Sequence, residues 1–129
     1  MSNVPADLRY TKDHEYVGTT ADAAVVKIGI TDYAQGELGD VVFVNLPKPG
    51  QQFAAHAAFG TIEAVKAVSE LFTPVAGEVV SVNATLDADP AVVNRDPYGA
   101  GWMITLRVKD PAELKALLSP ADYTTHVGG

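Results

Sequence analysis

The chain has no cysteine. Disulfides, a thiol nucleophile and Cys-based zinc or iron–sulfur sites are thereby excluded, and any sulfur redox chemistry must come from something added to the chain. Long apolar runs are also missing. None approaches the roughly 18 residues of a membrane span, so no membrane partner is expected. Basic residues are scarce: 9 Lys and Arg against 16 Asp and Glu give a formal net charge of −7, and they form no cluster. Nucleic acid is therefore not an expected partner. Only three histidines occur, His14, His56 and His126. They show no H-x-x-x-H or H-E-x-x-H spacing, so no metal site is expected. His14-Glu15 is the single adjacent pair, and neighbours on a strand point to opposite faces. Ser69, Ser81 and Ser119 have no nucleophile-elbow context, and no catalytic residue is expected. The start, MSNVPADLRYTKDHEY, carries neither an apolar signal core nor an Arg-rich transit pattern. A bacterial cytoplasmic protein is the simplest expectation, although a mature organellar form would look the same.

What is present suffices for a core. A chain of 129 residues that is 47% hydrophobic and 19% charged reads as one folded domain over residues 1–129. Its acidity suits a protein that meets positively charged partners quickly and leaves again.

The pattern along the chain is mostly β. Residues 1–12 read as a lead-in, with a first strand starting in 13–17. Residues 23–30, AAVVKIGI, are β-branched and apolar enough for a strand. Thr31 is a helix N-cap with Asp32 in the first turn. Gly36 and Gly39 limit that helix to about one turn. Strands are expected at 39–45, at 77–83 and at 102–109, with a proline-fixed turn at 46–50. Residues 53–64 and 68–72 read as two arms, and 84–101 as loop. Asp110-Pro111-Ala112-Glu113 is a helix start, followed by Leu114, Leu117 and Leu118 at helical spacing. Ser119-Pro120-Ala121-Asp122 repeats the signal for a short second turn. The end, 127–129, is expected to fray. Trp102, opening an alternating strand, is expected against the core.

Two features single out Lys66, which lies between the arms. GDVVFVN at 39–45 returns as GEVVSVN at 77–83. Either Val-rich strands match by chance, or two similar halves are related by a pseudo-twofold and close two antiparallel sheets over one core. In the second case the segment between the copies can carry an exposed turn that presents a side chain to several enzymes. The local turn signal is weak. No Asn-Gly or Asp-Gly pair sits at Lys66, Val65 disfavours a positive φ, and periodicity alone allows one bent strand.

The second feature is a resemblance. His14-Glu15, IGITDYAQ at 28–35, LGDVVFVNLPKPG at 38–50, EAVKAVSE at 63–70, TPVAGEVVSVN at 73–83, VN at 93–94 and DPYGAGWMITL at 96–106 stand in the order and spacing of the H-protein family of the glycine cleavage system. The chain resembles that family from Tyr10 to about Tyr123. Two departures occur: Ala64 stands where the family commonly has Ser, and Tyr16 where it commonly has Trp.

The resemblance implies a mainly β fold, a barrel-sandwich hybrid of two antiparallel sheets like lipoyl and biotinyl domains, with short helices including a C-terminal one. It implies a lipoyl carrier with no active site of its own, whose lipoate is amide-linked to Lys66 by a lipoate-attaching enzyme. The implied partners are the PLP-dependent glycine decarboxylase (P protein), the tetrahydrofolate-dependent aminomethyltransferase (T protein) and dihydrolipoyl dehydrogenase (L protein). The first loads an aminomethyl group, the second removes it, and the third reoxidises the dithiol. It further implies that the loaded arm folds into a cleft where Glu15 and Glu70 hold the cargo's ammonium. A biotin carrier shares the fold type, and Glu63-Ala64-Val65-Lys66 is close to its Glu-Ala-Met-Lys pattern, but Met is absent on both sides of Lys66. A lipoyl relay for 2-oxo acid dehydrogenases is a further variant, and a plain interaction module leaves the stretch around Lys66 unexplained.

Overall fold

The computed structural model describes residues 3–128. Nine strands form two antiparallel sheets. The larger has six strands in the order β1 (Arg9–Tyr10), β2 (Glu15–Thr19), β3 (Val25–Ile30), β9 (Ile104–Val108), β8 (Gly77–Val82) and β5 (Gln52–Phe53). The smaller has β4 (Val41–Asn45), β6 (Ala58–Ala64) and β7 (Val68–Phe72). The main core lies between them: Val44, Ile62 and Leu71 from the small sheet face Ile28, Val79 and Leu106 from the large one. This is the fold class expected above.

The repeat is structural. Its first copy is β4 and its second is β8, one in each sheet. Both copies carry a β-bulge at the same place, between Val41 and Phe43 in one and between Val79 and Ser81 in the other. A bulge adds one residue and turns the local side chains. Its recurrence in register favours related halves over a chance match of valines.

Helix α1 (Asp32–Leu38) starts as the sequence indicates, with the Thr31 hydroxyl accepting from the Ala34 amide at 3.2 Å. It runs through Gly36 and ends at Gly39, whose φ is +80°. Gly29 has a different purpose. A Cβ there would lie 2.7 Å from the Tyr16 hydroxyl, so the missing side chain lets the Tyr16 ring cross β3. Tyr16 is fully buried and its hydroxyl donates to the Pro97 carbonyl at 2.7 Å. That seats the tyrosine at the position where the family commonly has tryptophan.

Several expectations are corrected. Residues 53–64 are not one arm. The chain leaves β5, turns at His56 with φ +66°, and enters the other sheet as β6. The stretch 84–101 holds two short helices, α2 (Thr85–Ala88) and α3 (Val92–Arg95), which bury Leu86, Val92 and Val93. Trp102 is half-buried and precedes β9; Met103 takes the core place with no exposed surface. The cause is Asn83, whose amide donates to the carbonyls of Ala100 and Trp102 at 2.8 and 2.7 Å and keeps residue 102 in the preceding turn. Residues 111–116 form a 3-10 helix, and Leu118 pairs with Tyr10 as an isolated bridge. Helix α4 (Pro120–His126) is longer than the single turn expected. Its Tyr123 stacks on Tyr10 at 4.7 Å, and half-buried Val127 packs on the same tyrosine cluster where fraying is expected from sequence. Gly129 lies outside the described residues.

Candidate functional site

Lys66 sits at the β6–β7 connection. The strands pair as far as Glu63 and Val68, and the Ala64 amide donates to the Ala67 carbonyl at 2.9 Å, leaving Val65 and Lys66 at the tip. A tight hairpin usually needs positive φ at its tip. Neither tip residue has it; among the described residues only His14 and His56 do so outside glycine. Two hydrogen bonds from outside hold the tip instead. The Val65 amide donates to the Asp40 carbonyl at 3.0 Å and the Lys66 amide to the Leu38 carbonyl at 3.3 Å. The turn is thus fixed by the α1–β4 corner and not by its own residues, which is why no turn signal appears in the sequence.

That corner is itself secured. The Asn94 side chain accepts from the Val41 amide at 2.8 Å and donates to the Gly39 carbonyl and to Gln35 Oε1 at 2.9 and 3.0 Å. A Cβ on Gly39 would stand 3.3–3.4 Å from Cγ, Cδ and Cε of Lys66. The aliphatic stem of the lysine therefore lies across a residue with no side chain. Lys66 is exposed, so its amine is open to reagents and partners while its base is held. Lys27 differs, its Nζ donating to the Tyr98 carbonyl at 3.1 Å.

Beside this hairpin is a cleft of about 250 Å³. His14, Glu15, Tyr33 and Leu38 line it from one side, Ser69 and Glu70 from the other. Glu15 and Glu70, distant in sequence, are brought to one cleft, and Leu38 joins that cleft to the lysine through its carbonyl. A larger cavity of about 480 Å³ lies at the β5–β8–β9 edge, among Phe53, Glu78 and Arg107, and holds none of the expected site residues.

The two carboxyls are in different states. Glu70 is exposed. Glu15 is 3% exposed, and its pKa is pushed up to about 8. Burial is the cause; the Thr11 hydroxyl, donating at 3.0 Å, pulls the other way, Asp13 adds to the rise and the Phe72 amide opposes it. At neutral pH Glu15 is mostly protonated while no cation faces it. His14, missed as a wall residue by sequence reasoning, has a positive φ and bonds Tyr123 through Nδ1 at 2.9 Å. Its pKa is lowered, by burial first and then by His126. No group of three or more His, Cys, Asp or Glu among the described residues could hold a metal.

A sandwich of two sheets, with related halves and an exposed lysine held at a hairpin tip between them, is the arrangement that the resemblance to lipoyl and biotinyl carrier domains implies. The comparisons narrow the class. The sequence model of the glycine cleavage H-protein family matches residues 8–128. A glycine cleavage system H protein of Chlorobaculum tepidum is 54% identical over 126 residues, 98% of each chain. One from Opitutus terrae is 53% identical over 128 residues, 99% of this chain and 100% of that one. The crystal structure of a glycine cleavage system H protein from Mycobacterium marinum superposes with a TM-score of 0.88 at 37% identity, over 98% of this chain and 100% of that one. The chain belongs to the glycine cleavage H-protein family, whose members are the lipoyl-bearing shuttles of that system and are carriers, not catalysts. The fit of a lipoyl group is physical as well. The exposed amine of Lys66 can be acylated, and the adjoining cleft offers Ile30, Leu38, Ile62 and Leu71 to an alkyl chain.

Proposed function

We propose that Lys66 carries the lipoyl group as an amide, and that Glu15 and Glu70 flank the cleft that shelters the cargo. Residues 1–129 act as one carrier unit. The observation that supports this best is an exposed lysine held over Gly39 beside a cleft lined by both carboxyls. When bound, the lipoyl group supplies the disulfide that takes up an aminomethyl group and is left as a dithiol. The chain does the rest. Gly39, Leu38 and Asp40 orient the base of the arm. The apolar wall of the cleft excludes water, which strengthens any polar contact inside. Glu15 gives up its proton as a cationic amine approaches, because a nearby positive charge favours the carboxylate. Glu70 presents a second carboxylate at the mouth.

The enzymes met in turn are the PLP-dependent glycine decarboxylase, the tetrahydrofolate-dependent aminomethyltransferase and dihydrolipoyl dehydrogenase, after a lipoate-attaching enzyme has acted. The setting is the bacterial cytoplasm; no helix among the described residues is long and apolar enough to cross a membrane. The test is intact mass and peptide mapping after lipoylation, with Lys66→Arg alongside. The wild type should gain one lipoyl adduct at Lys66, and the variant none while keeping its circular dichroism and losing support of glycine–bicarbonate exchange. An adduct on the variant, or on another lysine of the wild type, would refute the assignment.

A further inference from the structure

His14 lines the cleft beside Glu15 with a backbone that few side chains adopt, at φ +69°. Both ends of the residue are tied. Its amide donates to the Thr11 carbonyl at 3.1 Å, and its carbonyl accepts from the Thr31 amide at 3.0 Å. The ring is tied as well, by a partner 109 residues away. Nδ1 lies 2.9 Å from the Tyr123 hydroxyl, which α4 brings in, and that hydroxyl lies 2.7 Å from Oγ1 of Thr31. Thr31 therefore meets His14 twice, once through the backbone and once through Tyr123.

The available protons fix the direction of this chain. Oγ1 of Thr31 already accepts from the Ala34 amide at 3.2 Å, and Thr31 has no exposed surface. Among the described residues its hydroxyl proton has no acceptor other than Tyr123. A buried hydroxyl proton left without an acceptor is costly, so Thr31 donates to Tyr123. Tyr123 then donates to Nδ1, and the proton of the neutral imidazole is on Nε2. A proton on Nδ1 would reverse both links. Tyr123 would have to turn to Thr31, and the threonine proton would be stranded.

We propose that Tyr123 is a positioning residue which, with Thr31 behind it, holds His14 as the neutral imidazole protonated on Nε2, so that the wall beside Glu15 sets no positive charge of its own against a cationic cargo. The inference rests on the reading of the cleft as the shelter of that cargo. The groups around the ring are Tyr33 and Glu37 from α1, His126 from α4, Asp13 and Glu15 from its own segment, and Glu70 across the cleft. Burial first, then His126, lower the pKa of His14 against the pull of Asp13 and Glu37. The chain from Thr31 acts in the same direction through geometry. A histidinium here would carry a like charge into the space that the ammonium must enter, and would pair with the carboxylates that the cargo needs. A neutral ring leaves Glu15 and Glu70 to the cargo.

The experiment reads His14 first and the cargo second. Nitrogen NMR of the imidazoles in the unmodified full chain, with His14 assigned by its absence in His14→Asn, should show Nδ1 as an acceptor and Nε2 protonated. His14 should still be mostly neutral at its ordinary midpoint of 6.5. Tyr123→Phe keeps the ring that stacks on Tyr10 and removes the hydroxyl. Its His14 should titrate at a higher pH than in wild type and hold no fixed tautomer. Thr31→Ser, which retains the hydroxyl, should titrate as wild type. The second reading is spontaneous loss of the aminomethyl group from lipoylated, loaded full chains, followed by intact mass. The ratio of the Tyr123→Phe rate to the wild-type rate should rise by about threefold or more between about pH 8 and about pH 6. Adding His14→Asn, which stays uncharged and tolerates a positive φ, should remove that rise. A neutral wild type with its His14 proton on Nδ1 would overturn the proposal without recourse to any variant. So would a wild-type titration of His14 in Tyr123→Phe, a rate ratio that does not change with pH, or a rise that survives in the double variant. Cargo lost from folded wild type as fast as from the same loaded chain unfolded in urea would overturn the reading of the cleft itself, and the role of the neutral ring with it.

Discussion

Replacing Glu15 by Gln should flatten the dependence of stability on pH. In the fold this carboxyl holds its proton to about pH 8; its ordinary value is 4.5. Below pH 4.5 both folded and unfolded chains are protonated there, and the stability contributed is fully present. As pH rises, the unfolded chain loses the proton first, so the folded state binds more protons and stability falls. The loss is about 1.4 kcal/mol for each step of one in pH. It ends once pH passes the folded value, after a total of about 5 kcal/mol for this nearly solvent-free side chain. At roughly 3–5 °C per kcal/mol for a chain of this size, the melting temperature should drop by on the order of 15 °C between about pH 5 and pH 9. Gln keeps an oxygen for the Thr11 hydroxyl and has no proton to lose. His14 acts in the opposite direction, because its lowered pKa makes stability rise with pH up to about 6.5, but it does so in both proteins and cancels in their difference. The assay is thermal melting of the unmodified wild type and Glu15→Gln at constant ionic strength. The curves should converge near pH 5 and separate above it, with the variant more stable in alkali. Parallel curves would show that Glu15 is ionised in the fold and that burial does not govern it.

Gly39→Ala should destabilise by about 1–2 kcal/mol, since φ +80° disfavours a Cβ, and should slow acylation of Lys66 by displacing its stem; urea melts at wild-type midpoints would contradict this. Asn94→Ala removes three hydrogen bonds from the α1–β4 corner, and should cost about 1–3 kcal/mol while speeding amide exchange at Val65 and Lys66; unchanged protection there would break the link between Asn94 and the hairpin. Met103→Ala should cost about 2–5 kcal/mol, and Trp102→Ala less, because Met103 has no exposed surface and Trp102 is half-buried; the reverse order in chemical denaturation would place the indole in the core.

Much of the fold was legible because alternation and repetition are local. The strands at β3, β4, β8 and β9, the Thr31 cap and the two late helix starts can each be read from a few neighbouring residues. What was not legible depends on partners far along the chain. His56 takes a positive φ because its amide reaches the Thr73 carbonyl at 2.8 Å, and no Gly or Asn marks that turn. Tyr10 is fully buried because α4 brings Tyr123 and the 3-10 segment brings Leu118, so a stretch that looked like a lead-in carries part of the core. The same holds at the site. Lys66 could be singled out by the flanking repeat and the resemblance, and the positions of Glu15 and Glu70 by resemblance alone. The Lys66 turn had no signal of its own, since its bonds come from Leu38 and Asp40. Val93-Asn94 stood out only as a matching pair, and the role of Asn94 in holding that corner appears only once α3 is packed on α1.

On the proposed reading, the contrast between the two carboxyls lets one cleft both hold and release a charged load. A carboxylate fixed permanently in a water-poor cavity would be costly while the cavity is empty and would bind a cation tightly once it is filled. Glu15 avoids both conditions. Burial keeps it neutral near pH 7 in the unloaded protein, where the Thr11 hydroxyl satisfies one oxygen. On the proposed reading, an ammonium entering the cleft lowers the pKa and turns the contact into an ion pair, with one proton lost to solvent. Departure of the cargo restores the neutral acid. Retention is then set by the difference between two states of one side chain, not by the full attraction of a fixed charge, and the load stays exchangeable with the next enzyme. On the same reading, Glu70, exposed and lining the same cleft, draws the cation in without having to be desolvated beforehand.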